Sequence, residues 1–189
     1  MNIIQGTRTS DSPLVDSIWH NRSDQPSNFT SVAVSNWEIV VTKHLGRTSI
    51  NMRGPETKAT PAYCPPDAEF FGIVFKVGTF MPHLPMTTLM DRQDLELPDA
   101  SNHTFWLQGA AWEYPTFDNA DVFVNRLVQQ GLLVRDPVVD AALQDQPQDL
   151  TIRSVRRRIL RATGMTLSDI RMIDRARGRD HHVGCAIVA

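Results

Sequence analysis

The sequence predicts a mixed α+β protein in which an antiparallel β-rich half precedes a helical half. In TSVAVSNWEIVV (residues 30–41) and GIVFKV (residues 72–77) apolar residues recur with a period near two, as in half-buried strands. Gly46 and Pro65 are among the residues that mark turns between such runs. From Thr116 onward the apolar spacing becomes helical. We therefore expect an antiparallel barrel or sandwich within residues 1–115 and a helical segment in residues 116–189.

The β-rich half is expected to hold its strands between about Trp19 and Val77. Residues 78–115 are rich in Pro, Asp and Trp and show no clear period, so they are predicted to be loops with at most a short helix.

Four helices are predicted after residue 115, and each prediction depends on capping residues at the ends. Asp136 followed by Pro137 marks one helix start, and Thr151 with Gly164 brackets the third helix. The predicted spans are 116–131, 137–144, 152–163 and 166–177.

The charge of the chain is unevenly distributed. Residues 151–189 hold nine Arg and three Asp, a net charge of +6, whereas residues 1–150 hold ten basic and eighteen acidic residues, a net charge of −8. The whole-chain charge of −2 conceals this asymmetry. A basic C-terminal segment attached to an acidic remainder of the chain is typical of a protein that binds nucleic acid through that segment.

The third predicted helix has two chemically distinct faces. At about 100° per residue, one stripe is apolar and consists of Ile152, Val155, Ile159 and Ala162. The opposite side carries Arg153, Arg156, Arg157 and Arg161. Leu160 falls among the arginines, which a two-face pattern does not explain. Such an arginine face suits the major groove of DNA, where guanidinium groups pair with guanine edges and phosphates, and a solvated face that binds nothing is the alternative.

The wider string LTIRSVRRRILRATGMTLSDIRMIDRAR, residues 150–177, resembles the first helix-turn-helix unit of AraC/XylS-type transcription regulators. It has a hydroxyl-capped recognition helix, an ATG stop and a following linker helix that ends in R-A-R. Upstream, VRDPVVDAAL, GTFMPHLP and FWLQGAAWEYPTF resemble the regulatory half of one subgroup of that family. The resemblance implies a cytoplasmic DNA-binding regulator with a cupin-like N-terminal domain for sensing or dimerisation.

The resemblance also implies which residues contact DNA. In that family the residues two, five and six places after the capping hydroxyl contact base edges, and here these are Arg153, Arg156 and Arg157. The helical wheel independently places the same three residues on the exposed side. Together with Arg161, which is expected to contact phosphate, they are the predicted DNA-binding residues, and double-stranded DNA is the predicted partner.

A small-molecule effector and a homodimer are further partners that the resemblance implies for the N-terminal domain. The aromatic residues of the β-rich half can line a cavity or simply pack in the core. For the effector-binding alternative, the predicted contact residues are Trp37, Glu38, Arg53 and Phe75.

Other classes of protein are disfavoured by what the sequence lacks. No stretch approaches the ~20 uninterrupted apolar residues of a membrane helix, and the N-terminal residues lack the build of a secretion signal, so a cytoplasmic location without membrane contact is expected. The six histidines show no metal-site spacing, and P-loop, GxSxG and dinucleotide motifs are missing. No metal, cofactor or catalytic residue is therefore expected, and Cys64 and Cys185 are expected to be reduced thiols.

The C-terminal residues DHHVGCAIVA depart from the family pattern, which usually continues into a second helix-turn-helix unit. The expectation is a truncated or frameshifted form of a longer regulator. The main interpretation is a DNA-binding transcription regulator. The rival is a small-molecule-binding or dimerising module whose helix-turn-helix remnant no longer binds DNA, and a cupin-type enzyme is a third alternative that lacks visible metal ligands.

Overall fold

A computed structural model describes residues 2–92 and 94–179, with side chains for residues 6–92 and 94–178. Every strand pair in this part of the chain is antiparallel. The strands are β1 (Asn2–Arg8), β2 (Val15–Ser23), β3 (Ser27–Ser31), β4 (Glu38–His44), β5 (Arg47–Arg53), β6 (Thr60–Cys64), β7 (Ala68–Phe75), β8 (Thr79–Phe80), β9 (Leu95–Glu96), β10 (Asp99–Ser101), β11 (Thr104–Leu107), β12 (Ala110–Glu113) and β13 (Val134–Arg135). The helices are α1 (Ala120–Gln129), α2 (Pro137–Leu143), α3 (Ile152–Thr163) and α4 (Leu167–Arg179), with a 3₁₀ turn at Met86–Thr88.

The largest sheet has the strand order β1-β2-β7-β4-β5-β9. Its central strands carry the buried residues Ile18, Ile39 and Ile73, of which the last two lie in segments whose alternating pattern predicted strands. The predicted α+β class with antiparallel strands is thus confirmed. The described strands do not close into a barrel, because β1 and β9 remain as sheet edges, and the cupin-like arrangement stays a prediction.

Two expectations about the β-rich half were wrong. Strands begin at Asn2, well before Trp19, and residues 78–115 contain β8 to β12 rather than loops alone. Strands β8 to β12 have two to four residues each, too few to show a period of two, which is why the pattern missed these five strands. They are held by tertiary packing instead: Trp112 of β12 meets Phe123 of α1 edge to face, with ring centroids 5.9 Å apart.

The helix boundaries follow their capping residues closely. The Thr151 hydroxyl accepts a hydrogen bond from the Ser154 amide at 3.3 Å, and Gly164 ends α3 with a φ of +74°, so the third predicted helix is confirmed at both ends. The first helix begins at Ala120 rather than at Thr116, because Thr116 and Asn119 form a side-chain-stabilised turn before it.

The apolar stripe predicted for α3 is only partly buried. Ile159 and Ala162 are buried and Val155 is half-buried, but Ile152 is 72% exposed. The C-terminal half of the helix rests on β8 and on the 3₁₀ turn, whereas the first turn extends past these elements. The helical wheel therefore assigned Ile152 to the core wrongly, because periodicity shows which side a residue occupies but not how far the supporting surface reaches.

One buried hydrophobic cluster includes residues from Val15 of β2 to Ile173 of α4 and is continuous across the boundary predicted at residue 115. The division into residues 1–115 and 116–189 stays a prediction. No helix in residues 2–92 and 94–179 has the length and apolar character needed to cross a membrane. Cys64 is a buried free thiol, while Cys185 and the tail from residue 180 lie outside the described residues.

Candidate nucleic-acid interface and ligand cavity

Helices α2 and α3 pack against each other, and one carboxylate ties them together. Asp136 caps α2 by accepting from the Val138 amide at 2.9 Å, and its other oxygen pairs with Arg158 Nε of α3 at 2.8 Å. The Asp136 side chain is only 9% exposed, so this ion pair is shielded from solvent on one side. The contact fixes the orientation of α3 relative to α2, and it occupies Arg158, the one α3 arginine outside the predicted DNA-contacting set.

The helix pair is mounted on the β-rich half through β8. The Asp136 amide donates to the Gly78 carbonyl at 3.0 Å, and the Arg161 guanidinium carbon lies 5.6 Å from the centroid of the Phe80 ring. Next to Phe80, the Thr79 carbonyl accepts from Trp37 Nε1 at 2.6 Å. Arg161 thus has a structural contact in addition to its predicted role at phosphate.

The three arginines predicted to contact bases lie on the protein surface. Arg153, Arg156 and Arg157 are exposed and occupy the first half of α3. None of the three forms an ion pair within residues 2–92 and 94–179. No acidic residue lies in the first turn of α3, so the positive charge of this face is not offset within the helix.

An apolar groove between α3 and α4 accounts for Leu160, the residue that the two-face pattern left unexplained. Leu160 is 45% exposed and lines this groove together with Ile152 and Leu167. Arg156 of the arginine face lines the same groove, so this face borders an apolar strip.

A cavity of about 200 Å³ lies at the β-rich half and contains most of the predicted effector contacts. Trp37, Glu38 and Arg53 line it. Phe75 does not belong to its lining and instead stacks behind Trp37, with ring centroids 4.3 Å apart. Three of the four predicted residues thus line one cavity, and the fourth, Phe75, packs against the Trp37 ring of that lining.

Glu38 is the most unusual group in this cavity. Its Oε2 accepts from Trp19 Nε1 at 3.0 Å, its Oε1 lies 3.9 Å from Arg53 Nη1, and its side chain is 16% exposed. Burial raises the pKa of the Glu38 carboxyl, an effect that Arg53 and the Trp19 hydrogen bond oppose and that Asp94 and Glu56 reinforce. The site therefore holds a carboxylate whose negative charge is only partly compensated.

Sequence reasoning missed Glu56, Asp94 and Arg177, which also line the cavity. They belong to a loop, to the segment before β9 and to the end of α4, so no spacing in the sequence connects them. Only the folded chain brings them beside β4 and β5.

Helix α4 links the cavity to α3. Asp174 of α4 accepts from the buried Ser35 hydroxyl at 3.2 Å, and Arg177, one turn further on, contributes to the cavity wall. Because α4 follows α3 after a tight turn at Gly164, any shift of α4 at the cavity acts next to the arginine helix.

Changing Glu38 to Gln is expected to alter the pH dependence of stability. A carboxyl whose pKa is higher in the folded state holds its proton more tightly there, so its contribution to stability falls as pH rises above the ordinary value of 4.5. The amide keeps an oxygen for Trp19 and does not ionise. The free energy of unfolding of Glu38→Gln minus that of the wild type should therefore increase between pH 4 and pH 7 in urea titrations.

The exposed Glu69→Gln variant serves as a control for removing one carboxylate charge from the surface. A Glu38→Gln difference that stays constant across the same pH range would contradict the burial argument.

The described residues contain no group of three or more His, Cys, Asp or Glu side chains placed to hold a metal ion.

No protein-family model matches the chain, and no match was found among curated proteins or solved structures.

Proposed function

We propose that the protein is a transcription regulator that binds double-stranded DNA through α3 and senses a small molecule in the cavity beside Glu38. The observation that carries the DNA-binding part is the exposed set Arg153, Arg156 and Arg157 at the start of a capped helix whose orientation α2 fixes. In helix-turn-helix proteins, the N-terminal residues of the second helix contact base edges in the major groove.

The dimensions of α3 support this assignment. Twelve residues give a helix of about 18 Å, and a single helix fits the major groove, which is about 12 Å wide. An arginine can pair with guanine through two hydrogen bonds, and the other guanidinium groups can neutralise phosphates.

The cavity supports the sensing part of the proposal, since α4 reaches from α3 to the cavity wall at Arg177. A ligand that binds this end of α4 in one position and not in another shifts the equilibrium between the two positions. Because α4 is joined to α3, such a shift couples the cavity to the arginine helix. The cupin-like domain, the cytoplasmic location and homodimerisation belong to the same proposal and are supported by the family resemblance. A dimer would link two reading helices on one duplex and so raise their apparent affinity.

The proposal is tested by titrating duplex DNA with the wild type and with a variant in which Arg153, Arg156 and Arg157 are all Ala. One helix-turn-helix unit is expected to bind with a Kd of about 10⁻⁴ to 10⁻⁶ M at physiological salt, and more tightly at low salt. Because the three arginines supply the exposed cationic face, the triple variant should bind at least about tenfold more weakly at low salt. Fluorescence anisotropy of a labelled duplex measures both affinities.

A charge-matched control removes three exposed cations from the β-rich half, through Arg22→Ala, Lys43→Ala and Lys58→Ala. If affinity depends on the α3 arginines and not on the net charge of the protein, this control should bind DNA within about twofold of the wild type. Equal binding by the wild type and the α3 triple variant would reject the role of α3, and so would the absence of binding by the wild type at low salt.

The second candidate function is a small-molecule-binding or dimerising module whose helix-turn-helix unit does not bind DNA. The cavity favours it independently, because the cavity depends on β4, β5 and their neighbours and on no α3 residue. This candidate is the one that remains if the DNA titration fails.

A further inference from the structure

The ionisable residues around the cavity are predominantly acidic. Four carboxylate side chains line it against two guanidinium groups. The acidic residues are Asp16, Glu38, Glu56 and Asp94, and the basic ones are Arg53 and Arg177. When all six are ionised, the lining carries a net charge of −2.

Arg53 is already engaged with two of these carboxylates. Its Nε lies 2.9 Å from Asp94 Oδ1, and its Nη1 lies 3.9 Å from Glu38 Oε1. One guanidinium group is therefore shared by two carboxylates, and its distance to Glu38 is the longer of the two. A charged ligand that enters the cavity meets an arginine whose charge is already offset.

Glu56 adds a more deeply buried acid to the same wall. It is 8% exposed, and its Oε2 accepts from the hydroxyls of Ser31 at 2.7 Å and Thr60 at 3.5 Å. Within the described parts of the chain it forms no ion pair. Glu56 and Glu38 line the same cavity and repel each other when both are ionised, so a cation bound in this cavity would stabilise both carboxylates.

The remaining walls are aromatic and apolar. Phe29, Trp37 and Tyr63 line the cavity, together with Val32, Val34, Val74 and Ala62. Aromatic faces attract cations through their quadrupole and also accept apolar ring systems, so they are compatible with a cationic head and an apolar body but offer nothing to an anion.

We propose that the cavity binds a small organic cation, namely a protonated amine on an apolar or aromatic body, with the ammonium group at Glu38 and Glu56 and the body against Trp37 and Phe29. This proposal specifies the ligand class for the sensing part of the proposed function and rests on that part only. It does not depend on DNA binding by α3.

The test compares three probes that share one ring and differ in charge: benzylammonium, benzyl alcohol and benzoate. Isothermal titration calorimetry of the full chain at pH 7 should show that benzylammonium binds at least about fivefold more tightly than benzyl alcohol, and that benzoate binds more weakly than either. The physical reason is that hydrogen bonds from a charged donor to a carboxylate are stronger than neutral ones.

Glu38→Gln should weaken benzylammonium binding by about fivefold or more while leaving benzyl alcohol nearly unchanged, because it removes charge at nearly constant shape. Glu56→Gln provides the same test if Glu38→Gln fails to fold. The matched control is Glu69→Gln on β7, an exposed residue outside the cavity lining, which should bind all three probes like the wild type.

Three results would overturn the proposal: benzoate binding as tightly as benzylammonium, unchanged benzylammonium binding in both Gln variants, or no binding of any probe at millimolar concentration. The DNA titration is a separate measurement. Loss of DNA binding with retained amine binding would reject only the proposed function of α3, and the reverse pattern would reject only the ligand class.

Discussion

Replacing Ile159 by Asp is expected to lower the free energy of unfolding by at least about 3 kcal/mol. Ile159 is 2% exposed and belongs to the continuous hydrophobic cluster, so the aspartate would lose the apolar contacts and bury a carboxylate. The ion pair that α3 forms within the described residues engages Arg158 with Asp136, so Arg158 is not free to compensate the new charge. Urea titration followed by circular dichroism measures the loss.

The same substitution at Ile152 is the matched control. Ile152 lies two turns earlier on the same helix and is 72% exposed, so Ile152→Asp should change stability by no more than about 0.5 kcal/mol. Equal losses at the two positions would contradict the described packing of α3.

These variants also test whether the chain divides at residue 115. All four tryptophans lie before that residue, so their fluorescence reports on the β-rich half, while the circular dichroism signal at 222 nm reports mainly on the helices after it. Because the buried cluster is continuous, we expect both signals of Ile159→Asp to change in one transition. Retention of the tryptophan signal after loss of the helical signal would support two independent units.

Replacing Gly72 by Ala is expected to cost about 2 to 3 kcal/mol or more, although only one methyl group is added. Gly72 of β7 faces Trp19 of β2 in the sheet register, and a Cβ at this position would lie 2.2 Å from the indole atom Cε2. The indole must therefore move. Moving it also breaks the hydrogen bond that Trp19 Nε1 donates to Glu38, which leaves this largely buried carboxylate without that donor.

A double-mutant cycle isolates this steric conflict. In a Trp19→Ala background, Gly72→Ala should cost less than half of what it costs in the wild type, because the conflicting ring is gone. The Gly178→Ala variant, whose added methyl group meets no atom within 4 Å, controls for adding a methyl group and should leave the protein at least as stable. Additive costs at positions 19 and 72 would contradict the described contact.

The local chemistry of single residues was predictable from the sequence. Thr151 and Gly164 mark the ends of α3 because a hydroxyl cap and a left-handed glycine act on the backbone within one turn. The exposure of Arg153, Arg156 and Arg157 followed from helical periodicity. The alternating pattern likewise predicted strands in the segments that hold Ile39 and Ile73.

Other features needed contacts between residues far apart in the chain. The strand β8 has only two residues and so shows no sequence period. Its Phe80 ring nevertheless contacts Arg161 of α3, and its Thr79 carbonyl accepts a hydrogen bond from the indole of Trp37. Ile152 was assigned to the core wrongly because the sequence does not show where the surface under α3 ends.

The sequence by itself determined the α+β class, the limits of α3 and its arginine face, since periodicity and caps depend on neighbours within a few residues. The tertiary structure alone decided that Asp136 holds Arg158, that Trp19 lies over Gly72, and that Glu56, Asp94 and Arg177 join Glu38 around one cavity. The physical reason is that burial and charge compensation depend on which distant segments pack together, and periodicity does not encode that choice.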